Sequence, residues 1–326
     1  MITEDAIREK LEDVLVPGVM RSVEKLNLVR QISIADGKVG IDIASAALDP
    51  GAQDWIKSKT LDVIGGLPEV KEVDISFVTA TPKEVNKIGQ VIAIASGKGG
   101  VGKSLVTGLL ALSLERHGSE VGILDADITG PSIPKMFGIT GHPMGMDNTI
   151  LPLLSRRGIE IMSMNLLLPH EDDAVIWRGP LIAKAITQFW EDVLWGKLDY
   201  LLVDLPPGTA DVPLTVMQSL PVSGLVIVSS PQELASMVVR KAVQMAQKMN
   251  VPILGVVENM SYFTLPDTGK RIEIFGKSRA DEMAKAAGAP LLGQIPIDPQ
   301  LAQLCDDGDI ELYDSELLDN FAKVIM

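Results

Sequence analysis

The chain has 326 residues and a formal net charge of −14. That leaves room for two domains, and it excludes a general nucleic-acid binder or an anionic membrane surface as the main partner, since both need a cationic face. Its one cysteine, Cys305, excludes an internal disulfide and fits a reducing cytoplasm. No apolar run approaches the ~18 residues needed to span a bilayer. Met1-Ile2-Thr3-Glu4-Asp5 is acidic where a signal peptide is basic. The expected location is cytoplasmic, with no nucleic-acid and no membrane partner.

In chain order, Ile7, Leu11, Val14 and Leu15 recur at helical spacing. Ile32 and Ile34 alternate with polar residues, Asp36-Gly37 predicts a hairpin turn, and Val39, Ile41 and Ile43 alternate on the return strand. A helix is predicted over Ala52–Ile64, ended by Gly65-Gly66, and a strand near Val73–Val78. Residues 1–80 therefore read as a small α-β-β-α-β domain, a client or partner module. Residues 81–89 are polar and contain Pro82, and the stretch from Ala80 reads as a linker.

From residue 90 to 326 strands and helices alternate. Strands are predicted at Val91–Ala95, Val121–Leu124, Ile159–Met162, Tyr200–Val203, Gly224–Val228 and Ile253–Val257. Near-continuous apolar runs are the pattern of strands covered on both faces. The expected fold is α/β, a mostly parallel, doubly wound sheet, with ligands at the carboxyl ends of its strands.

The octet Gly97-Lys98-Gly99-Gly100-Val101-Gly102-Lys103-Ser104 fits the phosphate-binding pattern G-x-x-x-x-G-K-[ST]. It arises by chance in roughly 1 in 100 chains of this length. It also stands between a predicted strand and a predicted helix, where the helix N-terminus adds its positive dipole end. The glycines let backbone N–H groups curl around a phosphate. Lys103 reaches the β- and γ-phosphates and the Ser104 hydroxyl binds Mg²⁺. Three later strands run into polar residues: Asp125-Ala126-Asp127, Asp204-Leu205-Pro206-Pro207-Gly208 and Glu258-Asn259-Met260-Ser261. Asp204, on a rigid strand edge, is the candidate to hold Mg²⁺ either directly or through the ion's own ligands. Asp127 is the candidate to orient the attacking water and a further candidate at the ion. Gly208 is placed to donate its N–H to the γ-phosphate. Asp125 reads equally as a site residue and as a turn former or helix cap. His117, His142 and His170 show no metal-ligand spacing.

The second lysine of the loop, Lys98, resembles the deviant-Walker branch of P-loop ATPases, which includes ParA, MinD and the nitrogenase iron protein. Within that branch, the run Asp125 to Pro134, Ile176-Trp177-Arg178-Gly179-Pro180, the Asp204 to Thr209 segment and Val257 to Phe263 resemble the Mrp/ApbC family of iron–sulfur cluster carriers. The 1–80 module is similar to the small domain fused ahead of that ATPase. The resemblance implies a homodimer in which Lys98 reaches the partner's active site. It implies ATP and Mg²⁺ as cofactors, Asn259 as reader of adenine, and iron–sulfur client or scaffold proteins as partners. One departure stands out. Many members carry Cys-x-x-Cys after the Ser-Tyr-Phe segment, whereas Leu265 and Thr268 stand there in this chain. Leucine cannot ligate iron and threonine is a poor substitute for a thiolate, so no cluster ligands are identified.

The leading expectation is an Mg-dependent dimeric ATPase acting in iron–sulfur cluster transfer. The alternative is a positioning or regulatory switch of the ParA/MinD type. The acidic C-terminal segment, Ser315–Met326, is expected to pack as a helix on the core.

Overall fold

The structure, a computed structural model, describes residues 2–19, 21–127, 132–146, 149–167, 179–208, 211–232 and 235–326. The chain forms two compact units: residues 1–88 with 143–152 and 190–197, and residues 89–142 with 153–189 and 198–326.

The first unit begins with α1 (Glu4–Leu11), capped by the Thr3 hydroxyl, which accepts from the Ala6 N–H. Strands β1 (Val29–Ala35) and β2 (Lys38–Ala44) form an antiparallel hairpin. Asp36 and Gly37 both take positive φ, as a two-residue primed turn requires. Helix α2 (Pro50–Gly65) follows, its N–H of Ala52 bonded to Asp49, and β3 (Glu72–Val78) joins parallel to β2. The order α-β-β-α-β matches the sequence reading. Val39, Ile41 and Ile43 point into one core with Ile7, Leu11, Ile56 and Ile64. Residues 80–89, read as linker, include a helical turn, α3 (Pro82–Val85), with Pro82 and Val85 buried. Strand β4 (Lys87–Ser96) starts only two residues later. The segments 143–152 and 190–197 contribute Leu151 and Leu194 to this first core.

The second unit is built on an eight-stranded sheet. From the strand β4 the chain passes through α4 (Lys103–Arg116), β5 (Val121–Asp125) and the short α5 (Ile133–Met136). Two residue pairs, β6 (Gly145–Met146) and β7 (Thr149–Ile150), form a small ribbon that belongs to the first unit. Next come β8 (Leu153–Leu154), β9 (Glu160–Ser163), α6 (Gly179–Asp192), β10 (Lys197–Asp204) and α7 (Asp211–Ser219). The chain continues with β11 (Gly224–Ser229), α8 (Ala235–Met249), β12 (Ile253–Glu258) and the hairpin β13 (Phe263–Thr264) with β14 (Arg271–Ile272). It ends with α9 (Ala280–Ala287), β15 (Leu291–Gln294), α10 (Pro299–Asp307) and α11 (Glu316–Ile325).

The sheet order is β15-β12-β11-β4-β10-β5-β9-β8. The pairs β15–β12, β12–β11, β11–β4, β10–β5 and β5–β9 are parallel, and β8 runs antiparallel to β9. This is the expected mostly parallel α/β fold, with the phosphate-loop strand β4 near its centre. Helix α4 is apolar nearly all round, and Val106 to Leu114 are buried; such a helix belongs inside. Helix α11 buries Leu318, Phe321, Ala322 and Ile325, and its Leu318 carbonyl accepts from Ser113 of α4. The acidic C-terminal segment is thus a core helix of this unit. Among the described residues no helix is long and apolar enough to cross a membrane.

Two left-handed glycines meet beneath α5. Gly138 and Gly308 have φ of +62° and +78°, and a Cβ on Gly308 would lie 2.7 Å from the Gly138 Cα. Gly308→Ala combines a strained φ with a backbone clash, and is expected to destabilise the chain by roughly 2–4 kcal/mol, read as a lowered urea midpoint.

Candidate functional site

The carboxyl ends of β4, β5, β10 and β12 bring the sequence-predicted residues together. The loop Gly97–Gly102 leaves β4, and Gly102, with φ +79°, caps α4. Gly100 has φ +78°. At Gly102 a side chain is excluded twice, because its Cβ would stand 2.1 Å from the Asn259 amide nitrogen.

Asp204, fully buried at the end of β10, is the centre of the site. Its Oδ2 accepts from Ser104 Oγ at 2.5 Å and lies 2.7 Å from Lys103 Nζ. Its Oδ1 accepts from Thr107 Oγ1 at 2.7 Å. Lys103 is itself 5% exposed and lies 3.8 Å from Asp127 Oδ2. Thr107 was missed by sequence reasoning. The available signal was its position, one helical turn after Lys103 on the same face of α4.

Asp125 pairs with Asp204 in the β5–β10 register. Its Oδ1 accepts from the Asp127 N–H at 3.1 Å and its Oδ2 from Ser163 Oγ at 3.1 Å. It is therefore the turn former that holds the backbone of Asp127. Burial, with the neighbouring Asp204 charge adding to it, pushes its carboxyl up to about 8. Ile128 to Pro131 and Ile176 to Arg178 of the resemblance motifs lie outside the described residues, as do Thr209 and His170.

Lys98 is on the outer side of the loop, its Nζ donating to Gln232 Oε1 of the same chain. The Ser96 hydroxyl braces the loop by donating to the Lys98 carbonyl at 3.0 Å. Gly208, φ +98°, donates its N–H to the Ser96 carbonyl at 2.9 Å. Asn259 is 2% exposed; its Nδ2 donates to the Val101 carbonyl at 2.9 Å and its Oδ1 accepts from the Met260 N–H. Beside it sits a fully buried carboxylate that sequence reasoning passed over. Glu258 accepts from Ser261 Oγ at 2.6 Å, Ser278 Oγ at 2.7 Å, the Arg279 N–H at 2.8 Å and Gln294 Nε2 at 3.1 Å. It anchors both ends of the β13–β14 hairpin to the sheet.

Residues 87–326 match the family of the NUBPL iron-transfer P-loop NTPase. The chain belongs to that family. Residues 4–76 of this NUBPL-family NTPase match the family of an iron-sulfur cluster assembly protein. A protein of Aquifex aeolicus named an iron-sulfur cluster carrier protein is 38% identical over 362 residues, covering 99% of this chain and 96% of the relative. One of the same name from Clostridium perfringens is 48% identical over 237 residues, 70% of this chain and 83% of the relative. Among solved structures, a nucleotide-binding protein from Archaeoglobus fulgidus in complex with ADP shares 47% identity at a TM-score of 0.66, covering 73% of this chain and 95% of that one. The cell-division protein MinD of Aquifex aeolicus, at 18% identity and a TM-score of 0.51, shares the fold.

The donor set fits a divalent ion of the hard class. Ser104 and Asp204 present a hydroxyl and a carboxylate oxygen side by side, and Mg²⁺ takes such oxygens. The donor set does not fit an iron–sulfur cluster at the position where relatives of the resemblance carry cysteines. Leu265 and Thr268 lie in the turn between β13 and β14, where the Gly269 N–H donates to the Leu265 carbonyl at 2.9 Å. Cys305 is half-buried, and burial with the nearby Asp306 pushes its thiol up to about 11, which keeps it protonated. Among the described residues no group of three or more His, Cys, Asp or Glu side chains is disposed to hold a metal ion.

Because the folded Asp125 carboxyl titrates far above its unfolded value of 3.8, the protonated form is the one the fold favours. Its contribution to stability is complete below about pH 4 and is lost as pH rises towards 8. Asp125→Asn keeps the shape and removes the titration. Melting temperatures of the nucleotide-free pair are expected to diverge in favour of the variant between pH 5 and pH 8.

Proposed function

We propose that this NTPase hydrolyses ATP with Mg²⁺ as a cytoplasmic homodimer, and that its turnover serves the transfer of iron–sulfur clusters to client proteins. The observation that carries the reading is the Asp204 centre, where Lys103, Ser104 and Thr107 converge on one buried carboxylate. The family membership and the carrier names of its relatives support the cargo.

In this reading the loop amides from Gly97 to Gly102 bind the phosphates, and Lys103 swings from Asp204 to the β- and γ-phosphates. Ser104 and Asp204 hold Mg²⁺, which when bound neutralises phosphate charge. Asp127, its backbone fixed by Asp125, orients the attacking water. Gly208 exchanges the Ser96 carbonyl for the γ-phosphate and relaxes when that group leaves. Asn259 borders the loop and reads adenine. Lys98 exchanges Gln232 for the nucleotide of the partner subunit, so that ATP closes the dimer and hydrolysis opens it. The module of residues 1–80 engages the client. Since Leu265 and Thr268 supply no thiolate, the cluster is held by thiolates of a partner protein or scaffold during transfer.

The ParA/MinD-type alternative predicts ATP-dependent binding to DNA or vesicles. The burial of the apolar face of α11 disfavours it, because a membrane tail keeps that face free.

Two measurements decide the reading. Lys103→Ala is expected to abolish phosphate release, and Lys98→Ala to reduce it at least 100-fold while leaving monomeric ATP binding within about threefold of wild type. Lys103→Ala should also cost about 3–5 kcal/mol of stability in denaturant melts, because Asp204 is left as an unpaired buried anion. Anaerobic reconstitution with iron, sulfide and a thiolate-bearing partner, followed by iron counting, is expected to load the complex. A complex that takes up no iron, alone or with any partner, ends the carrier reading.

A further inference from the structure

The first unit contains a cavity of about 510 Å³ that the nucleotide chemistry does not use. Ser45, Thr79, Thr81, Thr149, Glu191 and Asp192 line it. Lys83 also lines it, its ammonium taken up by Glu191, and two of the hydroxyls face it as acceptors. The Ser45 hydroxyl donates its proton to the Val78 carbonyl at 3.3 Å, and the Thr81 hydroxyl donates to Glu84 Oε2 at 2.9 Å. Both therefore offer only lone pairs to a ligand. Glu191 and Asp192 are the last two residues of α6, a helix of 14 residues. The negative end of the helix dipole adds to their charge.

The two carboxylates differ. Glu191 is ion-paired to Lys83 at 2.9 Å. Asp192 has no ion-pair or hydrogen-bond partner among the described residues. Burial and the neighbouring Glu191 hold its carboxyl above the usual carboxylate range. A third group is also unsatisfied. Thr149 is 5% exposed, yet its hydroxyl has no hydrogen-bond partner among the described residues, and it faces this cavity. An acceptor-lined hollow with an uncompensated carboxylate calls for a cation that donates several hydrogen bonds. Leu48 and Pro82 supply buried apolar wall for an alkyl stem.

We infer that this cavity of the first unit is a binding site for an alkylammonium group, held by Asp192 and Thr149, with its methylene stem along Leu48 and Pro82. Two sources share that chemistry: a lysine side chain presented by a partner protein, and a free polyamine. The site does not depend on the ATPase reading. It gives the client module a recognition chemistry of its own, for a positively charged group.

The test uses the full chain with 13C-labelled threonine methyls. The probes are N-acetyl-lysine methylamide, spermidine, and the neutral isostere N-acetyl-norleucine methylamide. The two amines are expected to shift the Thr149 and Thr79 signals saturably, and the norleucine compound not to. Asp192→Asn should weaken amine binding at least about tenfold, and Thr149→Val about threefold or more. If Asp192→Asn does not fold, the loss of amine binding is read on Thr149→Val alone. Tighter binding of the lysine compound assigns a protein side chain, and tighter binding of spermidine assigns a free polyamine. The inference is overturned if neither amine shifts the signals, if norleucine shifts them equally, or if Asp192→Asn binds like wild type. It is also overturned if MgCl₂ alone reproduces the shifts and the amines do not.

Discussion

The nucleotide end of this molecule depends on one buried carboxylate. Asp204 has no exposed surface, and it is neutralised by Lys103 and solvated by the hydroxyls of Ser104 and Thr107. A charge at that depth is tolerable only with such partners. The partners all come from the first turn and a half of α4, so one carboxylate fixes where that helix begins relative to β10. The glycine loop between β4 and α4 is in turn fixed from outside by Asn259 and from beneath by the Ser96 hydroxyl. The Lys103 ammonium and the Ser104 hydroxyl already have a protein partner in Asp204. A phosphate engages them by exchange of hydrogen bonds, which holds the net gain per bond to about 1 kcal/mol and makes the binding sensitive to geometry.

The opposite holds for the β13–β14 hairpin. Its root is tied down by Glu258, while residues 266–277 are exposed along their whole length. Ile272, Ile274 and Phe275 are among the exposed large apolar side chains, and the Arg271 guanidinium lies 4.2 Å from the centre of the Tyr262 ring. The segment is thus rigid where it leaves the sheet and open where relatives of the Mrp/ApbC type place their thiolates. In this chain Leu265 and Thr268 stand in the hairpin's turn and supply no thiolate.

Legibility in the sequence followed the range of the interactions. The phosphate loop, Asp204 and the α-β-β-α-β order were readable because each has a local signature in spacing or turn chemistry. The helical turn at residues 82–85 carried a signature too, the Thr81-x-x-Glu84 capping box, in which Glu84 accepts the Thr81 N–H at 2.7 Å. Proline and polarity outweighed it in the reading of a linker. Asp125 was legible only in part, since a turn former and a charged site residue look alike until burial is known. Glu258 was invisible as a hub, because its donors come from Ser261, Ser278, Arg279 and Gln294, up to 36 residues away. The same applies to residues 143–152 and 190–197. Their union rests on a parallel bridge between Ile150 and Val193, on hydrogen bonds such as those of the Asn86 side chain to Val193 and Gly196, on the ion pairs Lys83–Glu191 and Lys197–Glu24, and on apolar contacts, none of which leaves a periodic trace.

That union bears on how the chain is made. The first unit is discontinuous: Leu151 and Leu194 belong to the same core as Ile7 and Ile56. Synthesis proceeds from the N-terminus at about 5–20 residues per second. The N-terminal 88 residues therefore leave the ribosome first but cannot complete their core until residue 197 has followed, by which time β4, β5 and β9 have already emerged. The part of the chain that is born first is finished late, and an unfinished apolar surface stays available to chaperones through that interval.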